Sequence, residues 1–237
     1  MFLWDLKLKN KLLEKFKGNL IVSCQVFDDE PLNNTIAIGL VAKSVVEGGA
    51  KALRLCQKDH IRQIMTITDL PMMGLIKQEY DNSEVFITPT FKEVDDLIEI
   101  GIKCIATDAT NRKRPKQSLE EIISYIRSKD KDISIMADCA TIEDIIRADK
   151  LDFDLMGTTL RGATKESEGM DNISNNYEFI RECLSVTKKP IIAEGGIWEP
   201  YQVKELLELG SYAVVVGSAI TRPKDITRKF IKYLEEK

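Results

Sequence analysis

No apolar run in this 237-residue chain approaches the ~20 residues needed to cross a bilayer, which excludes a membrane span. Charge of one sign is not in excess either. The formal net charge is −4, with both signs mixed throughout, so electrostatics give no reason to expect a nucleic acid or an anionic membrane as partner. Cysteines are few and odd in number: Cys24, Cys56, Cys104, Cys139 and Cys183, with no C-x-x-C spacing. That pattern argues against a disulfide framework and predicts reduced, mostly buried thiols in a cytoplasmic protein. The N-terminal stretch "MFLWDLKLKNKLLEKFKGN" is laced with lysines and lacks the unbroken apolar core of a secretion signal. Histidine is almost missing. His60 stands alone near the second helix, where a solvated position is expected rather than catalysis. The acidic run Asp28, Asp29, Glu30 imitates a metal cluster, but three adjacent loop carboxylates are expected to be solvated. No metal and no cofactor are expected.

What is present is a repeat of short β-branched runs separated by amphipathic segments. The runs are "LIVSC" (20–24), "ALRL" (52–55), "MMGLIK" (72–77), "CIATDA" (104–109), "SIMADC" (134–139), "LMGTTL" (155–160), "PIIAEG" (190–195) and "AVVVGS" (213–218). Between them, "NTIAIGLVAKSVVEGG" and "TFKEVDDLIEIG" show helical periodicity and stop at glycines. "SLEEIISYIRSKD" and "TIEDIIRAD" open with the Ser/Thr-x-x-Glu/Asp spacing of a capping box. Strands that read as continuous apolar runs, each followed by a helix, indicate a parallel sheet covered by helices. Eight such units in one chain predict a (β/α)8 TIM barrel of the phosphate-binding type, as a single domain over 1–237. An open doubly wound sheet would carry G-x-G-x-x-G after its first strand, and "QVFDDEPLNN" there has no glycine.

Residues 1–18 form a helical extension in this reading. Leu3, Leu6, Leu12, Leu13 and Phe16 cap the bottom of the barrel, and Gly18 ends the helix. The last helix, with Ile226, Phe230, Ile231 and Leu234 on one face, either closes the barrel or meets a partner subunit; the expected assembly is a homodimer. The polar stretch 164–176 is either a mobile lid or a plain surface loop.

In a barrel the strand C-termini converge on one mouth. The polar residues collected there are Ser23, Cys24, Gln25, Arg54, Lys77, Asp108, Asp138, Thr158, Thr159 and Glu194. A charge ending an apolar strand is costly unless it is paired or used, so each is either a rim ion pair or part of a site. "PIIAEGGIWEP" (190–200) carries Glu194 to a strand tip and follows it with Gly195 and Gly196; "AVVVGSAITRP" (213–223) ends its valines in Gly217 and Ser218. Without Cβ atoms, such backbone can approach an anion and present N–H groups to it, and phosphate is the best candidate.

These residues resemble a known family. "GNLIVSCQ" (18–25), "DEPL" (29–32), "GLIKQEYDNSEVFITPT" (74–90), "DATNRKRP" (108–115), "MADCAT" (136–141), "GTTLRGAT" (157–164), "AEGGI" (193–197) and "VVGSAITRPKDITRKF" (215–230) are similar, in order and spacing, to segments of the bacterial N-acetylmannosamine-6-phosphate 2-epimerases. The resemblance implies inversion of C2 of a phosphorylated amino sugar, within sialic acid breakdown. It implies Lys77 and Glu194 as catalytic residues, and Gln25, Arg54 and Asp138 as substrate-binding ones. The chain departs from the family pattern at Phe27, Ala163, Gly196 and Ser218, and in its N-terminal extension. The chemistry agrees with the residues: C2 lies beside the aldehyde of the open-chain sugar, so its proton is the acidic one. Lys77 must be neutral to take it, which requires its pKa lowered from ~10.4 towards ~7–8. Glu194 either handles a proton on the opposite face or anchors the sugar. A Schiff-base phosphosugar aldolase using Lys77, or an inactive phosphosugar-sensing barrel, are the competing expectations.

Overall fold

Side chains alternate along each strand, and this alternation decides which of them enter the barrel. The computed structural model describes residues 5–27 and 29–236, with side chains from residue 11 onward. Leu3, Asp28 and the side chain of Leu6 lie outside the described residues. The elements run α1 (Asp5–Phe16), β1 (Leu20–Cys24), α2 (Thr35–Glu47), β2 (Ala52–Cys56), α3 (Lys58–Met65), β3 (Met72–Leu75), α4 (Phe91–Glu99) and β4 (Cys104–Asp108). They continue as α5 (Leu119–Lys129), β5 (Ser134–Asp138), α6 (Ile142–Asp149), β6 (Leu155–Gly157), α7 (Ser174–Val186), β7 (Ile191–Glu194), α8 (Pro200–Glu208), β8 (Ala213–Val216), α9 (Ser218–Thr221) and α10 (Pro223–Glu235). The strands pair in chain order, all parallel, and β1 closes on β8 through Leu20↔Val214 to Val22↔Val216. This is a (β/α)8 barrel. No helix among the described residues is long and apolar enough to cross a membrane.

Local chemistry sets the helix starts. Ser118 and Glu121 form a reciprocal capping box on α5, as do Thr141 and Asp144 on α6, as the sequence spacing predicts. Outward strand residues such as Val22, Leu53, Leu55, Ile105, Ile135 and Ile191 pack beneath the helices. Inward residues, including Ile21, Ala52, Met73, Cys104, Met136, Leu155, Ile192 and Ala213, form a second cluster inside the ring. Phe16 belongs to that inner cluster and is fully buried, so α1 seals the N-terminal end of the barrel. Gly18, at φ +68°, then turns the chain into β1. At the other end of the chain, α10 buries none of its residues; Phe230, Tyr233 and Leu234 stand largely in solvent. It therefore leaves its apolar face uncovered instead of closing the barrel.

Candidate active site

The inward parity, followed to the C-terminal ends of five strands, leads to polar residues: Ser23 after Ile21, Arg54 after Ala52, Lys77 after Leu75, Asp138 after Met136 and Glu194 after Ile192; on β8 it leads to Gly217 after Val215. Arg54 is fully buried and reaches across the barrel axis. Its Nη2 donates to Asp138 Oδ2 at 2.6 Å, while Nε lies 3.1 Å from Glu194 Oε1 without the angle of a hydrogen bond. Nη1 rests against the sulfurs of Met73 and Met136. Burial opposes the guanidinium charge, but Asp138 and Glu194 outweigh it and keep Arg54 protonated. The carboxylates carry the opposite strain. Burial raises Glu194 to about 7; Arg54 opposes the rise and the neighbouring Asp138 adds to it. Burial likewise raises Asp138.

The backbone of Glu194 is pinned from two sides. Thr158 Oγ1 accepts from Glu194 N and donates to Glu194 O, each at 3.0 Å, and Asn172 Nδ2 donates to the same carbonyl at 2.8 Å. Lys77 is held differently. It lies two residues past the end of β3, in an antiparallel bridge to Ile87, with Gln57 Nε2 donating to its carbonyl at 3.1 Å. Gln57 and Thr88, on either side of this segment, sit in the left-handed region at φ 70° and 43°. That conformation is costly for residues with a Cβ, above all for β-branched threonine, and such strain gathers where a site over-determines its backbone. Burial pulls the pKa of Lys77 down; the cations Arg54 and Arg222 act in the same direction, and Cys56 and Glu194 act against them.

One cavity of about 280 Å³ collects these groups. Ser23, Gln25, Arg54, Lys77, Thr159, Glu194, Gly195, Gly196, Gly217 and Ser218 all line it, with Asp138 directly beneath, on Arg54. Gly195 and Gly196 take φ +107° and +70°, and a Cβ on Gly217 would stand 3.3 Å from that of Ser23. The two glycine turns thus bring bare backbone to the cavity wall. Arg222, from the short segment after β8, also lines the cavity; it pairs with Glu30, and its Nη1 lies 3.1 Å from Asp225. Phe27 sits between functions: its ring centroid is 4.2 Å from Lys77 Nζ and 4.3 Å from Arg222 Cζ. The walls thus combine the cations Arg54, Lys77 and Arg222, the carboxyl group of Glu194 and glycine backbone around one polar cavity.

A family model described as "NanE: Putative N-acetylmannosamine-6-phosphate epimerase" matches residues 38–236. The chain belongs to the NanE family. A relative from Malacoplasma penetrans is 60% identical over 229 residues, which cover 96% of this chain and 100% of that protein. One from Listeria monocytogenes is 44% identical over 228 residues, 96% of each chain. Both carry the name "Putative N-acetylmannosamine-6-phosphate 2-epimerase". A solved structure of the N-acetylmannosamine-6-phosphate 2-epimerase from Clostridium perfringens superposes with a TM-score of 0.89 at 42% identity, over 94% of this chain and 96% of that one.

Against this NanE barrel, several sequence expectations need correction. His60 is buried, not solvated: it shares the inner face of α3 with Ile61 and Ile64, and burial lowers its pKa. The acidic run is not simply solvated either. Asp29 is exposed and reaches Lys224, but Glu30 is enclosed in its ion pair with Arg222. Stretch 164–176 is more than a plain surface loop. Ser167 Oγ donates to Leu160 O at 3.1 Å, and Asn172 holds the carbonyls of Glu194 and Gly195, so the segment braces the glycine turn from below. Cys24 has the outward parity and packs under the helices, where burial pushes its thiol up to about 12. Asp108 ends its strand in a sealed ion pair with Arg112, away from the cavity. Arg222 escaped sequence reasoning, and Phe27 entered it only as a departure from the family pattern. Arg222 lay in view in "AVVVGSAITRP", but nothing local shows that a residue five positions past Gly217 folds back to the mouth.

Proposed function

We propose that the chain is an isomerase that inverts C2 of N-acetylmannosamine 6-phosphate to give N-acetylglucosamine 6-phosphate, in the breakdown of sialic acid. The reading is carried by one observation. Lys77 and Glu194 come from β3 and β7, four strands apart in a ring of eight, and both line the same cavity. A substrate between them can lose a proton to one group and receive one from the other on its opposite face, which gives inversion at one carbon.

Lys77 Nζ, pushed towards its neutral form, takes the C2 proton of the open-chain aldehyde, and the C–H electron pair moves into an enolate with its charge on O1. Glu194, whose pKa is raised to about 7 so that part of it stays protonated at neutral pH, returns a proton to C2 on the other face as the enolate collapses to the aldehyde. Arg54 and Asp138 fix Glu194 from beneath, and Gln25, 2.9 Å from Ser23 Oγ, positions the sugar's polar groups. Backbone at Gly195, Gly196, Gly217 and Ser218, with Arg222, receives the 6-phosphate. A neutral Glu194 also removes the repulsion that a carboxylate would feel beside a phosphate.

Turnover in D2O followed by NMR tests this. Product should carry deuterium at C2 while early recovered substrate stays largely unlabelled, because one group takes the proton and another returns it. Product that kept its original C2 hydrogen over many turnovers would overturn the scheme. We further propose one barrel domain over 1–237 with 1–18 as a helical extension, working in the cytoplasm as a homodimer joined through the exposed face of α10. Sedimentation as a monomer at assay concentration would refute that assembly.

A further inference from the structure

One hydroxyl stands between the two buried carboxyl groups. Thr159 Oγ1 lies 2.7 Å from Asp138 Oδ1 and 3.1 Å from Glu194 Oε2. A hydroxyl has one hydrogen and two lone pairs, so it can donate to one of these oxygens and not to both. Were both carboxylates ionised, the second contact would set a lone pair against a charged oxygen at hydrogen-bond distance. The shorter contact, to Asp138, has the length of a charge-assisted bond. That assigns the hydrogen of Thr159 to Asp138 and leaves its lone pair facing Glu194.

Charge balance leads to the same place. Asp138 and Glu194 share a single guanidinium, Arg54, in a buried site. The other groups that face them do not supply a second full counter-charge. Lys77, across the cavity, is itself driven towards neutrality by burial; Asp108, at the end of β4, repels Asp138. Cys104, beside Arg54, is kept a thiol by burial, and Arg222 and Cys56 act on Lys77. Two carboxylates around one cation hold a proton between them, and its titration belongs to the pair.

We infer that Asp138, Thr159 and Glu194 share one proton, with Glu194 Oε2–H donating to Thr159 Oγ1 and Thr159 O–H donating to Asp138 Oδ1, so that Thr159 is a positioning residue for the acid. Its use in turnover rests on the reading of Glu194 as the group that returns the C2 proton. When Glu194 gives up its proton, the Thr159 hydroxyl turns its own hydrogen from Asp138 to Glu194. No proton is gained or lost in that turn, and the new charge meets a dipole already in place instead of bulk water.

Infrared difference spectra of the ligand-free wild-type protein test the shared proton without reference to activity. A protonated-carboxyl band should vanish as pH rises through neutrality and should be missing from Glu194→Gln. No such band in the wild type, or one that survives in Glu194→Gln, overturns the inference. Thr159→Val then separates positioning from packing. The bond from Thr159 to a carboxylate exists in both protonation states, to Asp138 in one and to Glu194 in the other, and so cancels. What remains is the bond from Glu194 O–H to Thr159, present only in the protonated form. Its loss should move the pH at which the protonated-carboxyl band disappears to lower pH, by about one pH unit for a hydrogen bond of ordinary strength. Thr159→Ser should restore the wild-type midpoint. A midpoint that moved upward would make Thr159 a donor to ionised Glu194, and an unmoved midpoint would make it mere packing; either result overturns the proposal. If Glu194→Gln turned over like wild type, the catalytic reading of Glu194 would fail, while the infrared result would still report on the proton.

Discussion

Two arginine–carboxylate clusters lie at the C-terminal ends of neighbouring strands, and they have opposite fates. At β4, Asp108 Oδ2 accepts from Arg112 at 2.6 Å, and its Oδ1 accepts from both the N–H and the hydroxyl of Thr110. Arg114 closes the cluster by donating to the carbonyls of Asp108, Thr88 and Pro89. Asp108 and Arg112 pair one to one, Arg114 adds a second guanidinium that donates to carbonyls, and the cluster stitches the loop after β4 to the barrel rim. Around Arg54 the count is two carboxyl groups to one guanidinium, one hydroxyl serves both, and a cavity opens above. What separates them is the ratio of charges: the one carboxylate at β4 has a guanidinium of its own, whereas two carboxyl groups share Arg54, and groups left short of counter-charge are the ones whose protonation can change.

That contrast can be broken by mutation, because the two clusters should fail in different observables. Lys77→Met keeps the bulk of the side chain and removes the base of the incomplete site. Turnover should fall at least ~10²-fold, the low end for loss of a general base, with the midpoint of thermal unfolding unchanged or raised. A variant that kept half its activity would make Lys77 a structural residue and remove the site from that side of the cavity. Arg112→Met should do the reverse. Arg112 is nearly enclosed and Asp108 fully so, and stripping one partner from such a pair costs about 3 kcal/mol of stability or more. Denaturant unfolding should register that loss while kcat per folded molecule stays near wild type. A large fall in kcat with stability intact would mean that the rim cluster reaches the chemistry.

The sequence carried the barrel because the fold depends on features that repeat. Eight apolar runs, capping boxes at Ser118 and Thr141, and stops at Gly18 and Gly49 are local signals that survive without knowledge of the neighbours. Period-two alternation also carried much of the cavity wall, since residues of inward parity at strand ends converge once the ring closes. Other features depend on contacts that no local pattern encodes. Asp108 and Asp138 both end apolar strands, and the difference between them lies in Arg112, four residues on, against Arg54, three strands back. His60 is buried on the face of α3 that it shares with Ile61 and Ile64, which a lone histidine cannot reveal. The run "MMGLIK" makes Lys77 the end of a strand, but it belongs to a bridge with Ile87 flanked by the strained backbone of Gln57 and Thr88.

The smallest effect concerns Phe27, which tunes the incomplete cluster from outside. The face of an aromatic ring favours a cation, so the ring beside Lys77 stabilises its ammonium form and works against the burial that favours the free amine. Phe27→Leu keeps an apolar cover over Lys77 but removes the ring's quadrupole. The pKa of Lys77 should therefore fall further. The limb of kcat/KM that rises as Lys77 loses its proton should move to lower pH, by about half a pH unit for a contact of ~0.5–1 kcal/mol. Phe27→Ala supplies the opposite sign, because it opens Lys77 to water, relieves the burial and moves the same limb upward. Were both variants to move the limb upward, Phe27 would act on Lys77 only by excluding water, and the cation–ring contact would contribute nothing to setting the base. If neither moved it, the rising limb would belong to another group, and the assignment of Lys77 as the base that titrates there would fall with it.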